Sequence, residues 1–187
     1  MKVLLHICCG VCASSVAERL MCQGHRVTGL FYNPNIHPVD EYKKRLEAAK
    51  EVARQWDLEL IEGPYDRERW FELVKGKEYA PEGGARCEVC FTMRLEKTYE
   101  YCKKGMFDAF TTTLTVSPFK DVTVVNNIGR NIDENRFICD DFKRKGGFQR
   151  ANELAHEWSI YRQDYCGCVY SHEEKLKKDA KSKEKGG

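Results

Sequence analysis

The sequence lacks long hydrophobic runs, and neither sign of charge is in clear excess. No run approaches the roughly 18 apolar residues that a transmembrane helix needs, and the opening run Met1–Leu5 is too short for a secretory signal peptide. The 31 basic residues are nearly balanced by 29 acidic ones, so the formal net charge of +2 permits a nucleic-acid partner without demanding one. These absences lead us to expect a cytoplasmic protein.

Cysteine, in contrast, is abundant. The chain has ten cysteines in 187 residues, and its 42% hydrophobic content can supply a core without disulfides. Because thiols stay reduced in the cytoplasm, closely spaced cysteines there favour metal binding or redox chemistry over structural disulfides. We expect a single metalloenzyme domain over residues 1–171 and a charged C-terminal tail over residues 172–187.

The first third of the chain predicts an α/β fold. Three apolar runs of strand length predict strands: Lys2–Ile7, Arg26–Tyr32 and Leu58–Ile61. Amphipathic segments between them predict helices, the first capped by Ser14 or Ser15 and the second by Asp40. This order favours a three-layer α/β domain with a parallel sheet. The cysteine-rich loop after the first strand then lies at the carboxyl ends of the strands, where such sheets bind ligands.

The remaining elements are predicted from the same patterns. We expect Asp66 to cap a helix, a loop with Pro and Gly to deliver Cys87 to a helix start, and the charged segment from His172 onward to be a solvated helix or a disordered tail. The other predicted elements are strands at Phe107–Leu114 and Arg136–Cys139, helices at Asp121–Ile132 and Phe148–Trp158, and a last ordered segment at Tyr161–Tyr170.

Seven of the cysteines form three tight groups. The groups are Cys8-Cys9-Gly10-Val11-Cys12, Cys87-Glu88-Val89-Cys90 and Cys166-Gly167-Cys168. A lone Cys-x-x-Cys is shared by zinc sites, redox motifs and iron–sulfur clusters, but three groups in one domain are more specific for metal. Because four thiolates complete a zinc site or a [4Fe–4S] cluster, seven indicate a cluster with a second ion, or a cluster with catalytic thiols.

Backbone geometry suggests how the thiols divide. In extended backbone Cys8 and Cys9 point to opposite faces, so we expect them to serve neighbouring centres rather than one metal atom. Cys87 and Cys90 fall in the first turn of a helix, where free backbone amides and the helix dipole favour thiolates. The glycine between the last two cysteines lets the backbone wrap closely around an inorganic centre.

Two interpretations without a cluster are also open. A closed zinc site with spare buried cysteines, or reactive thiols without metal, would use the same groups. Cys22, Cys102 and Cys139 have no close cysteine partner in the sequence and are expected to be small core residues. His6 is expected to be a core histidine, and only His172, near the last cysteine pair, is a further candidate.

Five blocks of the sequence together carry a family resemblance. The blocks are Leu4–Ser14, Phe31–Pro38, Arg86–Leu95, Thr112–Lys120 and Tyr165–Ser171. In this order, and over residues 2–171, they resemble the QueH-type epoxyqueuosine reductases. Val11 stands where many relatives carry proline, a departure that leaves the cysteines in place.

The resemblance implies an enzyme for the last step of queuosine biosynthesis, the two-electron deoxygenation of epoxyqueuosine to queuosine at the wobble position of a tRNA. It implies a [4Fe–4S] cluster beside an additional mononuclear iron, and a fold similar to the adenine-nucleotide alpha-hydrolase-like domains. No Ser-Gly-Gly-x-Asp-Ser pattern occurs, which argues against ATP pyrophosphatase chemistry. The expected partners are a tRNA carrying epoxyqueuosine and an electron donor such as a ferredoxin or flavodoxin, and no membrane.

We divide the thiols between the two metals that the resemblance implies. The cluster is expected on Cys9, Cys87, Cys90 and Cys168, and the second iron near Cys8, Cys12 and Cys166, which would then be the catalytic residues. In the expected mechanism the epoxide oxygen is polarised by the second iron and electrons arrive singly from the cluster, which gives the alkene and water. Asp164 and Tyr165 are candidate proton donors or orienting groups.

RNA binding needs cations for phosphates and aromatic faces for unstacked bases. The candidate phosphate contacts are Arg86, Arg94, Lys120, Lys143, Arg144, Lys145, Arg150 and Arg162, and the candidate stacking residues are Tyr32 and Tyr165.

Three other functions are open on the sequence alone. An iron–sulfur tRNA sulfur transferase on a similar fold would consume ATP. A zinc-stabilised binding module would hold one colourless metal and have no redox activity. A thiol–disulfide oxidoreductase would stay active after complete metal removal.

Overall fold

The computed structural model describes residues 1–185 as a three-layer α/β fold around a four-stranded parallel sheet. The strands are β1 (Lys2–His6), β2 (Arg26–Phe31), β3 (Glu59–Glu62) and β4 (Ala109–Thr112), in the order β3-β2-β1-β4. The helices are α1 (Gly10–Cys22), α2 (Val39–Gln55), α3 (Arg67–Val74), α4 (Ala85–Lys104), α5 (Val122–Asp133), α6 (Gly147–Glu157) and α7 (Val169–Lys185), with a 3₁₀ turn at Thr113–Val116.

The central strand β1 is buried on both faces of the sheet, which explains its continuous apolar sequence. Val3 and Leu5 face the layer formed by α1, α2 and α6. Leu4 faces the opposite layer, formed by α3, α4 and α5. The sheet thus has a hydrophobic core on each side, as the strand–helix–strand pattern predicts.

Two helix starts differ from the sequence predictions, and a third agrees in position but lacks the expected capping hydrogen bond. Helix α1 begins at Gly10 with Cys9 as its N-cap, and the Ser14 hydroxyl instead donates a hydrogen bond to the Val11 carbonyl at 2.8 Å. Helix α2 begins at Val39, so Asp40 lies in its first turn rather than at its cap. Asp66 does precede α3, as predicted, but its carboxylate accepts a hydrogen bond from the Tyr32 hydroxyl at 3.1 Å. A tertiary contact therefore replaces local capping at Asp66, while the Ser14 hydroxyl bonds within its own helix.

The later elements agree with the predictions in type and differ in length. The strand predicted at Phe107–Leu114 is shorter, because the chain turns into the 3₁₀ segment after Thr112. The strand predicted at Arg136–Cys139 is reduced to one parallel bridge between Phe110 and Phe137. The charged segment from His172 continues α7 up to residue 185, and residues 186–187 lie outside the described residues.

The carboxyl ends of β1, β2 and β4 lie at one edge of the sheet. They lead directly to Cys8, to Asn33 and to Thr113. The candidate functional site lies at this edge, as is expected of a parallel sheet. Over the described range, none of the helices has both the length and the apolar character required to cross a bilayer.

Candidate metal centre and substrate cavity

The first three cysteines form a compact thiol triad. The sulfur atoms of Cys8, Cys9 and Cys12 all lie within 4.8 Å of one another, and those of Cys8 and Cys9 are 3.8 Å apart. The expectation that Cys8 and Cys9 point to opposite faces is wrong, because β1 ends at His6 and the backbone bends at Cys8 before Cys9 caps α1. Two thiolates on one tetrahedral metal with bonds of about 2.3 Å are about 3.8 Å apart, so the triad fits a single ion.

Cys8 is the thiol that the surroundings favour most as a thiolate. Hydrogen bonding from Cys12, then from Cys9, lowers the pKa of the Cys8 thiol well below its usual value. The Thr113 hydroxyl donates a hydrogen bond to the Cys8 sulfur at 3.2 Å. The same hydroxyl oxygen accepts a hydrogen bond from the Cys8 backbone N–H at 3.0 Å. The 3₁₀ turn after β4 thus fixes both the backbone and the sulfur of this residue.

The other four grouped cysteines lie at the start of α4 and in the segment that leads into α7. Burial raises the pKa of the Cys87 and Cys90 thiols at the start of α4, and that of Cys168 to about 12. Cys166 lies close enough to add to the rise at each of these three thiols. Backbone N–H groups already point at two of the sulfurs, from Gly83 to Cys87 at 3.2 Å and from Ser171 to Cys168 at 3.4 Å. These amides are suited to stabilising thiolates.

Two cations lie between the thiol groups. Arg94 is 3% exposed. Burial acts to lower the pKa of its guanidinium, but the thiols of Cys90, Cys166 and Cys8, in decreasing order of effect, raise it. Burial also opposes the charge on Lys120, but Cys166 and Cys8 raise the pKa of its ammonium to about 12. A soft donor set of seven thiols with two buried or half-buried cations among them fits a thiolate-ligated metal centre.

Arg45 holds the segment that carries Cys166. Its guanidinium donates to the Cys166 carbonyl at 2.9 Å and to the Tyr165 carbonyl at 3.1 Å. Its Nε donates at 2.7 Å to Glu41, whose other oxygen accepts from the Tyr161 hydroxyl at 2.7 Å. This buried network on α2 had no signal in the sequence beyond an ordinary i, i+4 charge pair.

Gly167 is required by the close approach of this segment to α2. Its φ is +122°, and a Cβ at this position would lie 2.9 Å from the Arg45 guanidinium. The Gly167 carbonyl accepts a hydrogen bond from the His37 backbone N–H at 2.7 Å. The glycine between the two cysteines therefore serves chain packing.

A cavity of about 440 Å³ opens over the thiols. Cys8, Cys12 and Cys166 line it, so three of the seven grouped thiols face this space. Its charged lining residues are Arg45, Arg94, Lys120, Arg162, Lys178, Glu82 and Asp164. The excess of cations suits a ligand that carries phosphate groups.

Amide side chains supply the neutral polar lining. Asn35, Asn152 and Gln163 all line the cavity. The amide oxygen of each is buried and accepts no hydrogen bond from any residue in the part of the chain that the structure describes. Buried acceptors without a donor are costly, so these three point to a ligand that donates hydrogen bonds. Of these three residues, only Asn35 lies in one of the five sequence blocks that carry the family resemblance. No motif in the sequence pointed to Asn152 or Gln163.

The candidate RNA contacts divide into two sets. Arg86 is buried and donates to backbone carbonyls of Glu78 and Ala80. Arg150 pairs with Glu18, and its guanidinium is used in that contact. Tyr32 is also buried, with its hydroxyl on Asp66, whereas Arg144 pairs with Asp141 but is 81% exposed. Lys143 is partly exposed and Lys145 is exposed, and neither is among the residues that line the cavity. The candidates that line the cavity are Arg94, Lys120, Arg162 and Tyr165.

The candidate proton donors are engaged with neighbouring groups. Asp164 forms an ion pair with Lys175 of α7, which holds its pKa below the usual value. The Tyr165 hydroxyl donates to the His37 carbonyl, and its ring stacks on His172 at 4.6 Å between centroids. His172 thus supports Tyr165 by ring contact.

The isolated cysteines differ in environment. Cys102 is fully buried on α4, as expected of a core residue. Cys22 and Cys139 are exposed, so the expectation that they lie in the core is wrong for both. His6 is buried as expected, with its ring nitrogens 2.9 Å from the Thr112 hydroxyl and 3.2 Å from the Tyr32 carbonyl.

Comparison with known proteins gives one consistent result. The family model described as epoxyqueuosine reductase QueH matches residues 3–174. A protein of Haemophilus influenzae named epoxyqueuosine reductase QueH is 41% identical over 174 residues, covering 91% of this chain and 71% of that protein. A protein of the same name from Thermotoga maritima is 38% identical over 194 residues, covering 99% of this chain and 97% of its own length.

Proposed function

The chain belongs to the epoxyqueuosine reductase QueH family, and we propose that the thiol-lined cavity is where its reaction takes place. It is an oxidoreductase that reduces epoxyqueuosine in tRNA to queuosine. Both C–O bonds of the epoxide break, a C=C bond forms, and two electrons and two protons carry the oxygen away as water. The observation that supports this location is that Cys8, Cys12 and Cys166 line one cavity together with cations.

We propose that the seven thiols hold two metals. The proposed ligands are Cys8, Cys9 and Cys12 for a mononuclear iron, and Cys87, Cys90, Cys166 and Cys168 for a [4Fe–4S] cluster. The 3.8 Å separation of the first two sulfurs, and the proximity of Cys166 to three other thiols, support this division. It exchanges Cys9 and Cys166 relative to the division expected from the sequence. When bound, the metals supply single electrons and a Lewis acid to the substrate.

The protein supplies charge balance around these thiols. Arg94 and Lys120 offset the negative charge that several thiolates would otherwise concentrate at one buried edge. Thr113 adds a hydrogen bond to Cys8. Lys120 and Thr113 act to lower the pKa of the Cys8 thiol, and Arg94 and Lys120 act to lower that of Cys90 against its burial.

The cavity lining is suited to a single nucleoside. A guanine-type base presents N–H donors on its pairing edge, and the modified side chain adds hydroxyl donors. The unpartnered amide oxygens of Asn35, Asn152 and Gln163 can accept these hydrogen bonds, which would orient the epoxide toward the thiols. A volume of about 440 Å³ is in the range of sites for molecules of this size.

Three further assignments belong to this proposal. The three-layer fold, with its cysteine loop after β1, is proposed to be of the adenine-nucleotide alpha-hydrolase-like type. The two electrons are proposed to come from a one-electron carrier such as a ferredoxin or flavodoxin. A cytoplasmic location is proposed because the reaction needs reduced thiols and tRNA.

The first experiment is anaerobic purification with iron, zinc and sulfide analysis, followed by incubation with epoxyqueuosine-containing tRNA and dithionite. Queuosine is quantified by mass spectrometry of the digested RNA. We expect about five iron and four sulfide per chain and ATP-independent formation of queuosine. Zinc without sulfide, or no queuosine from an iron-replete enzyme, would contradict the proposed function.

Two cysteine variants test the division of ligands. Cys9→Ser should lose about one iron and keep all four sulfides, whereas Cys166→Ser should lose sulfide. The division expected from the sequence gives the reverse result. The exposed Cys139→Ser is the matched control and should retain both.

A further inference from the structure

We infer that Phe119 and Phe148 are stacking platforms for the bases that flank the reacting nucleotide. This inference rests on the proposed function, because it assumes that an RNA strand enters the cavity. It adds two residues outside the metal centre that distinguish a nucleotide in RNA from an isolated nucleoside.

Both aromatic side chains are exposed beside the cavity. Phe119 is 80% exposed and Phe148 is 38% exposed, and both line the cavity. They come from separate elements, the turn after the 3₁₀ segment and the first turn of α6. Two exposed aromatic side chains that line one cavity form the kind of surface on which nucleic-acid bases stack.

The size of the cavity requires flanking bases to lie outside it. About 440 Å³ accommodates one modified nucleoside. The neighbouring nucleotides of the same strand must then pass over the rim, where the two phenylalanines are exposed. RNA loops present unstacked bases of this kind, and proteins commonly bind them on aromatic faces.

The charges at the rim match an RNA backbone. Lys120 follows Phe119 directly, and Arg162 and Lys178 also line the cavity. A cationic groove with aromatic side chains between the charges is the usual arrangement for binding single strands. A protein partner with an acidic surface would not by itself use two separate aromatic faces.

The two platforms are held by local structure. The Ser117 hydroxyl accepts the Phe119 backbone N–H at 3.3 Å, so the turn is closed. Helix α6 is tied to α1 by the bidentate pair between Arg150 and Glu18. The backbone positions of the two phenylalanines are therefore set before RNA binds, which lowers the entropic cost of binding.

The test compares RNA and nucleoside as ligands. Dissociation constants are measured for an anticodon stem–loop RNA carrying epoxyqueuosine and for the isolated epoxyqueuosine nucleoside. Stacking on one aromatic side chain changes affinity by about 5- to 150-fold. Phe119→Ala with Phe148→Ala should weaken RNA binding at least tenfold more than nucleoside binding, and Phe119→Trp should keep RNA affinity near that of the unchanged chain.

Met106→Ala is the matched control. Met106 is 81% exposed but lies before β4, at the edge of the sheet opposite the cavity, so its substitution should leave both affinities unchanged. If the unchanged chain reduces the RNA-borne nucleotide but the double variant binds the RNA equally tightly, stacking is overturned and the proposed function stands. If the unchanged chain forms no queuosine, both fail.

Discussion

The buried ion pair between Arg45 and Glu41 should be needed both for stability and for metal binding. The two side chains are 3% and 8% exposed. Arg45 also bonds the carbonyl groups of Cys166 and Tyr165. Replacing Arg45 with Met leaves the Glu41 carboxylate buried without its partner, a change that typically costs about 3–5 kcal/mol.

The expected loss corresponds to a drop of about 6–20 °C in Tm for a chain of this size. Because the lost contacts hold the Cys166 segment, iron and sulfide per chain should fall as well. Thermal unfolding of the anaerobically purified protein gives the Tm, and metal analysis gives the iron and sulfide per chain.

Two further variants control the measurement. Arg54→Met removes an ion pair with Glu51 on the same helix, but Arg54 is 65% exposed, so about 1 kcal/mol or less is expected. Combining Arg45→Met with Glu41→Met should cost less than the sum of the single changes, because no buried charge is left unpaired. If Arg45→Met is no more harmful than Arg54→Met, or leaves the metal content unchanged, the reasoning is refuted.

Three other changes have defined outcomes. Gly10→Ala should cost about 1–3 kcal/mol in thermal unfolding, because its Cβ would lie 2.7 Å from the Ala48 carbonyl of α2. Burial lowers the pKa of His37 from 6.5 to about 4. Between these pH values the unfolded chain therefore binds a proton that the folded chain does not. The free energy of unfolding should fall by about 3 kcal/mol as the pH drops through that window. Urea titrations at several pH values should show a flatter pH dependence for His37→Phe. Lys120→Met removes a cation beside the thiols, so the protein should hold its iron about 10-fold more weakly, measured as transfer of iron to a chelator. Unchanged iron retention would exclude a role of Lys120 in metal binding.

Much of the fold was predictable because it depends on local patterns. The apolar runs around Leu4 and Leu30 are continuous, as strands buried on both faces must be, and α4 starts just before Cys87 as the loop composition predicts. Helix starts were less accurate. Ser14 looks like a cap in the sequence, but the cysteine-rich segment itself forms the first turn of α1.

By itself, the sequence indicated the class of chemistry: seven thiols in three groups favour metal binding or redox chemistry, because thiol spacing is a property of the chain. Only the tertiary structure decided how the thiols group, since the bend at Cys8 brings it beside Cys9. The structure also revealed Arg45 as the anchor of Cys166 and Phe119 as an exposed face at the cavity. Such roles depend on residues far apart in the sequence, and no local pattern records which of them meet.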